Sequence, residues 1–183
     1  KIKSISAQFD KTSADPRFRF FGNVKVGEHV QPSELADRYD AVIYAVGAQS
    51  DRLLGIPGED LPGSVAAVDF VGWYNAHPHF GEITPDLSSG RAVVVGNGNV
   101  ALDVARILVS DPDMLAATDI ADHALDSLHD RGVEEVLVVG RRGPLQAPFT
   151  TMELRELDQM DALGDVDVVV DPADLADITE EDL

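Results

Sequence analysis

A glycine-containing turn between a strand pattern and a helix pattern constrains the fold of this chain most. Residues 91–108 read RAVVVGNGNVALDVARIL, which places Gly96, Gly98 and Ala101 in the spacing G-x-G-x-x-A. This spacing, flanked by an apolar strand and a long apolar helix, is typical of dinucleotide-binding domains. Strand and helix patterns go on alternating up to residue 170. The sequence therefore predicts an α/β fold, with a Rossmann-like parallel sheet and helices on both of its faces.

Each residue of the turn has a chemical reason to be there. Gly96 can adopt a turn conformation that a side chain would forbid, and Gly98 lets a pyrophosphate approach the backbone. Ala101 permits close packing of helix against strand, and Asn99 is the expected helix cap. The helix would then direct its free amides and positive end at the phosphates. The alternative interpretation is a tight strand-to-helix turn that binds no ligand.

Two arginines indicate which dinucleotide is bound. The next strand pattern, VEEVLVVG, ends at Gly140 and is followed directly by Arg141 and Arg142. An NAD-specific site would have Asp or Glu at the end of this strand, whereas guanidinium groups bind a 2′-phosphate through charge-assisted hydrogen bonds. The sequence thus favours NADP over NAD. The alternative is a solvent-exposed basic turn in an acidic protein.

The remaining patterns predict the order of the secondary structure. Strands are expected at 91–95, 134–139 and 166–170, and a buried parallel strand at 42–46. Helices are expected at about 99–109, in pieces over 112–130, and at about 150–160. Residues 17–26 alternate like a strand pair, a helix is expected to start at Pro32, and Asp69 is expected to cap another helix. In that last helix Phe70, Trp73 and Tyr74 would pack on one side.

Composition removes several classes of function. The net charge is −19, which opposes attraction to nucleic acid or to anionic lipid. The chain has no cysteine, which excludes thiolate zinc sites, iron–sulfur ligation and disulfides within it. The longest uncharged apolar run, residues 41–50, is about half of a membrane span, so no membrane insertion is predicted. His77 and His79 lack partners at metal-ligand spacing, so no metal site is predicted. Because the absence of cysteine fits a reducing compartment, a cytoplasmic protein is expected.

Long strings of the sequence resemble one family. The strings are GNGNVALDVARIL, VGRRGPLQAPFTTMELRE, DFVGWYNAHP and DAVIYAVGAQSDRLLGIPGEDLPG. They closely resemble the adrenodoxin reductase-like ferredoxin–NADP(+) reductases, particularly those of actinobacteria, and the resemblance covers nearly the whole chain. It implies a flavoprotein with two dinucleotide-binding domains, which transfers electrons from NADPH through FAD to ferredoxin.

The resemblance also implies roles for single residues. The NADP pyrophosphate would be held by the turn that consists of Gly96, Asn97, Gly98, Asn99 and Val100. The 2′-phosphate would be held by Arg141 and Arg142, and Glu153 would contact the nicotinamide end. No catalytic residue is assigned.

Other implied roles concern FAD and the partner. A strand near Lys25 would lie against the FAD adenine through its main chain, and Gly47 lies where the chain leaves the FAD domain. Arg155 is a weaker candidate for docking an acidic ferredoxin; a salt bridge to residues 156–161 is favoured instead.

The resemblance further implies how the chain is divided. Residues 1–50 would be part of the FAD-binding domain, 51–65 a connection, and 66–183 an incomplete NADP-binding domain. A second glycine-rich fingerprint, for FAD, is not present in the sequence, so we expect a fragment that is not catalytically complete.

Two other functions remain open at this stage. The chain could be the electron-input portion of a flavoprotein like the glutamate synthase small subunit, although those relatives are expected to carry cysteine clusters nearby. It could instead be a non-catalytic NADP-binding module, which would gain support if the complete gene product lacked an FAD fingerprint.

Overall fold

The computed structural model describes residues 3–48, 50–176 and 178–179. The chain divides into two compact units, Lys1–Gly47 and Ala48–Leu183, so the predicted connection at 51–65 belongs to the second unit. The helices are α1 (Lys3–Ser13), α2 (Pro32–Arg38), α3 (Ala67–Tyr74), α4 (Asn99–Val109), α5 (Pro112–Leu115), α6 (Asp122–His129) and α7 (Thr151–Leu163). The strands are β1 (Arg91–Val95) and β2 (Glu135–Val139). Short 3₁₀ turns lie at Pro144–Gln146 and Pro172–Leu175.

Helix α2 of the first unit starts at Pro32, as predicted. Pro32 occupies the first helical position, where its missing N–H would have no partner within the helix. The carboxylate of Glu34 accepts a hydrogen bond from the N–H of Gln31 at 2.8 Å, which fixes the preceding residue.

The second unit contains a parallel pair of strands. β1 and β2 pair in the register Val93 with Leu137 and Val95 with Val139, which confirms the predicted parallel arrangement. The chain between them forms α4, α5 and α6. Because the strands are parallel and in register, their carboxyl ends lie at the same edge of the sheet.

The core of the second unit lies on one face of this sheet. Its buried cluster is formed by Phe70, Trp73, Val104, Leu108, Ala121 and Ala124. Ala92, Val94 and Val136 of the strands pack against it. In α4 the buried side chains recur at helical spacing, so this helix turns one apolar stripe to the core; they are Ala101, Leu102, Val104, Ala105 and Leu108.

The opposite face of the sheet is not covered by the described residues. Val93, Val95, Leu137 and Val139 are between 42% and 62% exposed. The sequence predicts helices on both faces, since apolar residues on both sides of the pleat favour burial of both. A strand with apolar residues on both sides indicates that both faces of the sheet are buried, but it does not specify which element covers each face.

The predictions of a strand pair at 17–26 and of single strands at 42–46 and 166–170 are wrong. Residues 17–26, 42–46 and 166–170 form no strand, and only an isolated bridge joins Val26 to Val30. Their apolar side chains are largely exposed, with Phe20 at 81%, Ile43 at 89% and Val169 at 86%. Apolar runs and alternation indicate burial, but a strand also needs a neighbouring strand for its hydrogen bonds.

The predicted cap of α3 is also wrong. Ala66 is the residue that precedes the helix, and Asp69 lies inside its first turn. The carboxylate of Asp51 accepts a hydrogen bond from the N–H of Val68 at 3.3 Å. A carboxylate distant in sequence therefore binds the start of α3, while Asp69 lies near the positive end of the helix dipole. The buried side of the helix is as predicted, since Phe70 and Trp73 are buried and Tyr74 packs on the core.

Candidate functional site

The glycine turn lies at the edge of the sheet where both strands end. The N–H of Gly96 donates a hydrogen bond to the carbonyl of Val139 at 2.8 Å, which extends the pairing of β1 and β2 by one residue. Gly96 has a φ of +124°, a conformation that favours glycine. A Cβ at this position would meet no heavy atom within 4 Å, so the backbone faces open space.

Gly98 immediately precedes α4 and has no side chain that would cover the first amides of this helix. It precedes α4 with φ −89° and ψ 178°, which any residue can adopt. A Cβ at Gly98 would lie 3.6 Å from Cγ of Pro148, and that is the one neighbour within 4 Å among the described residues. The first amides of α4 have no partners within the helix, and the helix dipole makes this end positive. The residues present therefore fit a dinucleotide phosphate, which binds at such helix starts.

The two arginines begin at this same edge. They follow Gly140, which is in contact with the side chain of Asn97: a Cβ on Gly140 would lie 2.7 Å from Cγ of Asn97. Both Arg141 and Arg142 are exposed. Within the part of the chain that the structure describes, neither guanidinium forms an ion pair, although acidic residues outnumber basic ones 33 to 14. Two exposed guanidinium groups without ion pairs among the described residues are suited to an anionic ligand.

Asn99 has a different role from the predicted one. The residue that caps α4 is Gly98, and Asn99 is the first residue within the helix. Its Oδ1 accepts a hydrogen bond from the N–H of Thr150 at 2.7 Å, across 51 positions of sequence. The side-chain oxygen is thus bound to the start of α7 instead of to the start of α4. Val100 follows on the surface and is 53% exposed.

Glu153 lies in the first turn of α7, half-buried. Thr150 caps this helix, since its hydroxyl accepts a hydrogen bond from the N–H of Glu153 at 3.5 Å. The bond between Thr150 and Asn99 brings the start of α7 next to the glycine turn. Thr150 is not among the site residues predicted from the sequence, although the pattern Thr150-x-x-Glu153 is a helix-start signal.

Arg155 does not form the expected salt bridge. Among the described residues it makes no ion pair with residues 156–161, and its side chain is exposed. Instead, the carboxylate of Glu156 lies 3.5 Å from Nε of Arg106 on α4. This ion pair between Glu156 and Arg106 thus joins α7 to α4.

Lys25 and Gly47 belong to the first unit and are described within it. Lys25 is not in a strand, and its N–H donates to Nδ1 of His29 at 3.1 Å. Its carbonyl accepts from the N–H groups of Glu28 and His29 at 3.2 and 2.8 Å. Gly47 has a φ of +64°, again favouring glycine. The main-chain groups of Lys25, which the resemblance places at the adenine of FAD, form hydrogen bonds within a local turn.

In the described ranges, no group of three His, Cys, Asp or Glu side chains is placed to hold a metal ion. The rings of His77 and His79 are 5.4 Å apart, and His77 also contacts Phe80. In the same ranges, every helix is too short or too polar to cross a lipid bilayer.

Comparison with known proteins gives consistent matches. The family model "Pyridine nucleotide-disulphide oxidoreductase" matches residues 1–169. NADPH-ferredoxin reductase FprA of Mycobacterium tuberculosis is 76% identical over 182 residues, covering 100% of this chain and 39% of that protein. Mitochondrial NADPH:adrenodoxin oxidoreductase of Bos taurus is 48% identical over 174 residues, covering 95% of this chain and 35% of that protein.

A solved structure matches as well. "Mycobacterium tuberculosis FprA in complex with NADPH" superposes with a TM-score of 0.93 at 76% identity. The match covers 100% of this chain and 39% of that one. The chain thus spans about two fifths of the length of these FprA relatives.

Proposed function

The chain belongs to the pyridine nucleotide-disulphide oxidoreductase family, and we propose that it is the NADP-binding portion of a ferredoxin–NADP(+) reductase. The complete enzyme would transfer electrons from NADPH, through FAD, to a ferredoxin. Its proposed location is the cytoplasm. The relatives are named NADPH-ferredoxin reductase and NADPH:adrenodoxin oxidoreductase, and these names support this choice of donor and acceptor.

One observation carries the proposal: the glycine turn and the arginine pair share one edge of the sheet. Gly96 is bonded to Val139, and Asn97 touches Gly140, one residue before Arg141. A dinucleotide whose pyrophosphate lies on the turn would have its adenosine ribose near the end of the second strand. There the guanidinium groups of Arg141 and Arg142 would bind a 2′-phosphate, which NADP has and NAD lacks.

The nicotinamide end would extend towards α7. Asn99 holds the start of this helix beside the turn, and Glu153 lies in the first turn. We assign to Glu153 the contact with the nicotinamide end of NADP. The pyrophosphate would pass Gly98, where the absence of a side chain leaves the space in front of Pro148 to the ligand.

FAD is proposed for the complete protein only. The main chain near Lys25 is proposed to contact the FAD adenine in the complete protein, and no step is assigned to the residues of the first unit. When bound, FAD would supply the conversion of a two-electron donor into single-electron transfers. A ferredoxin is the proposed partner, and Arg155, exposed and without an ion pair among the described residues, is the candidate contact for an acidic one.

The test uses the flavin-loaded holoprotein that carries this sequence. Under anaerobic conditions NADPH should bleach the visible flavin absorbance, and oxidised ferredoxin should restore it. NADH at the same concentration should bleach the flavin far more slowly. Bleaching that ferredoxin does not reverse would contradict the proposed acceptor, and NADP binding without bleaching would favour a non-catalytic module.

A further inference from the structure

The side chain of Asn99 is the most specific link between the glycine turn and the rest of the site. Asn99 is the first residue of α4, and its Oδ1 accepts from the N–H of Thr150 at 2.7 Å. Thr150 immediately precedes α7 and caps it. One carboxamide therefore connects the starts of two helices that are 51 residues apart in sequence.

The side-chain amide of Asn99 has two different polar groups, and only one of them is bound to Thr150. A carboxamide has one oxygen acceptor and an NH₂ group with two donors. Because the oxygen of Asn99 is bound to Thr150, the group that remains for a ligand at the turn is the NH₂. Among the described residues this NH₂ makes no hydrogen bond to protein, and a phosphate accepts bonds from such donors.

The start of α7 is also close to the turn through a second contact. Cγ of Pro148 would lie 3.6 Å from a Cβ at Gly98, so the segment that leads into α7 lies next to the glycine turn. Glu153 follows in the first turn, with its N–H bonded to the hydroxyl of Thr150. A change in the bond between Asn99 and Thr150 would therefore move Glu153 relative to the turn.

We propose that Asn99 is a positioning residue, which ties the start of α7 to the dinucleotide turn and thereby holds Glu153 at the nicotinamide end of the ligand. The inference rests on the proposed binding of NADP and adds a coupling between its two ends. A purely structural role predicts something else: loss of the bond would destabilise the protein, and all ligands would be affected alike.

The test measures affinities in the flavin-loaded holoprotein by calorimetric titration with two probes. NADP⁺ reaches both ends of the proposed site, whereas 2′,5′-ADP has the 2′-phosphate and lacks the nicotinamide end. Asn99→Ala should weaken NADP⁺ binding by about tenfold or more, because Glu153 would lose its contact with the nicotinamide end, and one hydrogen bond to a charged group has about this effect. Binding of 2′,5′-ADP should weaken several-fold less.

A double-substitution cycle with Glu153→Ala separates positioning from direct contact. If Asn99 acts through α7, the effect of Asn99→Ala on NADP⁺ affinity should shrink by about fivefold when Glu153 is already absent. Asn99→Asp is the matched control, since it retains an oxygen for Thr150. Its effect should be the same, within about twofold, in both backgrounds.

A second variant addresses the other partner of the bond. Thr150→Pro removes the N–H that Asn99 accepts from, and it should reproduce the loss for NADP⁺ even if Asn99→Ala does not fold. Effects of Asn99→Ala that add independently to those of Glu153→Ala, or that are equal for both probes, would overturn the positioning role. A wild-type holoprotein that does not bind NADP⁺ would overturn the proposed function instead.

Discussion

Replacement of Gly98 by alanine should separate folding from nucleotide binding, because the two make different demands on this position. Its φ of −89° and ψ of 178° suit alanine, and the new Cβ would make an ordinary contact at 3.6 Å with Pro148. Loss of glycine freedom in the unfolded chain stabilises by about 0.4–1 kcal/mol, and alanine is a poorer cap than glycine by a similar amount. The free energy of unfolding should therefore change by less than about 1 kcal/mol.

The same methyl group should interfere with the ligand. It would occupy the surface that a pyrophosphate must approach to reach the free amides at the start of α4. Loss of one hydrogen bond to a charged group corresponds to about 1.5–3 kcal/mol, so NADP⁺ affinity should fall by about tenfold or more.

Gly96→Ala is the matched variant, and here we expect the substitution to affect folding through the backbone conformation. A Cβ there meets nothing within 4 Å, but the φ of +124° is strained for alanine. This strain should lower the free energy of unfolding by about 1–3 kcal/mol. Urea denaturation followed by circular dichroism measures the stabilities, and calorimetric titration measures binding. Unchanged NADP⁺ affinity in Gly98→Ala, or equal destabilisation by both substitutions, would refute the reasoning.

Two further predictions concern the core and a loop. Leu128→Ala removes a side chain that is 0% exposed, so thermal or urea unfolding should show a loss of about 2–5 kcal/mol. The control Met114→Ala, at a side chain 71% exposed, should stay within about 0.5 kcal/mol, and an equal loss would contradict the assigned core. The Glu59 carboxylate accepts from the N–H groups of Leu54 and Gly55 at 2.6 and 2.7 Å, which lowers its pKa below the ordinary 4.5. Because the folded pKa is the lower one, this stabilisation is present above pH 4.5 and is lost as the pH falls through the folded value. NMR shifts of the two amides should titrate with a midpoint below 4.5 and stop titrating in Glu59→Gln; a midpoint at or above 4.5 would contradict the assignment.

The parts of the fold that the sequence predicted are those with local signals. β1, the glycine turn and α4 follow from residues within 91–109, and the helix start at Pro32 follows from its own neighbourhood. The placement of Arg141 at the same edge as Gly96 also follows, because parallel strands in register end together.

The predictions that failed concern features that depend on residues distant in sequence. The apolar run at 42–46 indicates burial, but nothing within it specifies a neighbouring strand, and Ile43 is 89% exposed. Asn99 was expected to cap its own helix, and its bond to Thr150 spans 51 positions. No short window of sequence contains both members of such a pair.

The central claim is that Arg141 and Arg142 recognise the 2′-phosphate of NADP. Its most direct test is to replace both arginines by alanine and to measure the affinity of the holoprotein for NADP⁺ and for NAD⁺. NADP⁺ binding should weaken by about tenfold or more, from the loss of hydrogen bonds to a charged phosphate, while NAD⁺ binding should stay nearly constant. Arg91→Ala is the control, since Arg91 pairs with Glu135 at 2.6 Å on the first residues of the two strands, and it should affect neither ligand. Equal weakening of both nucleotides by the double substitution would show that the arginine pair does not recognise the 2′-phosphate, and would contradict the account.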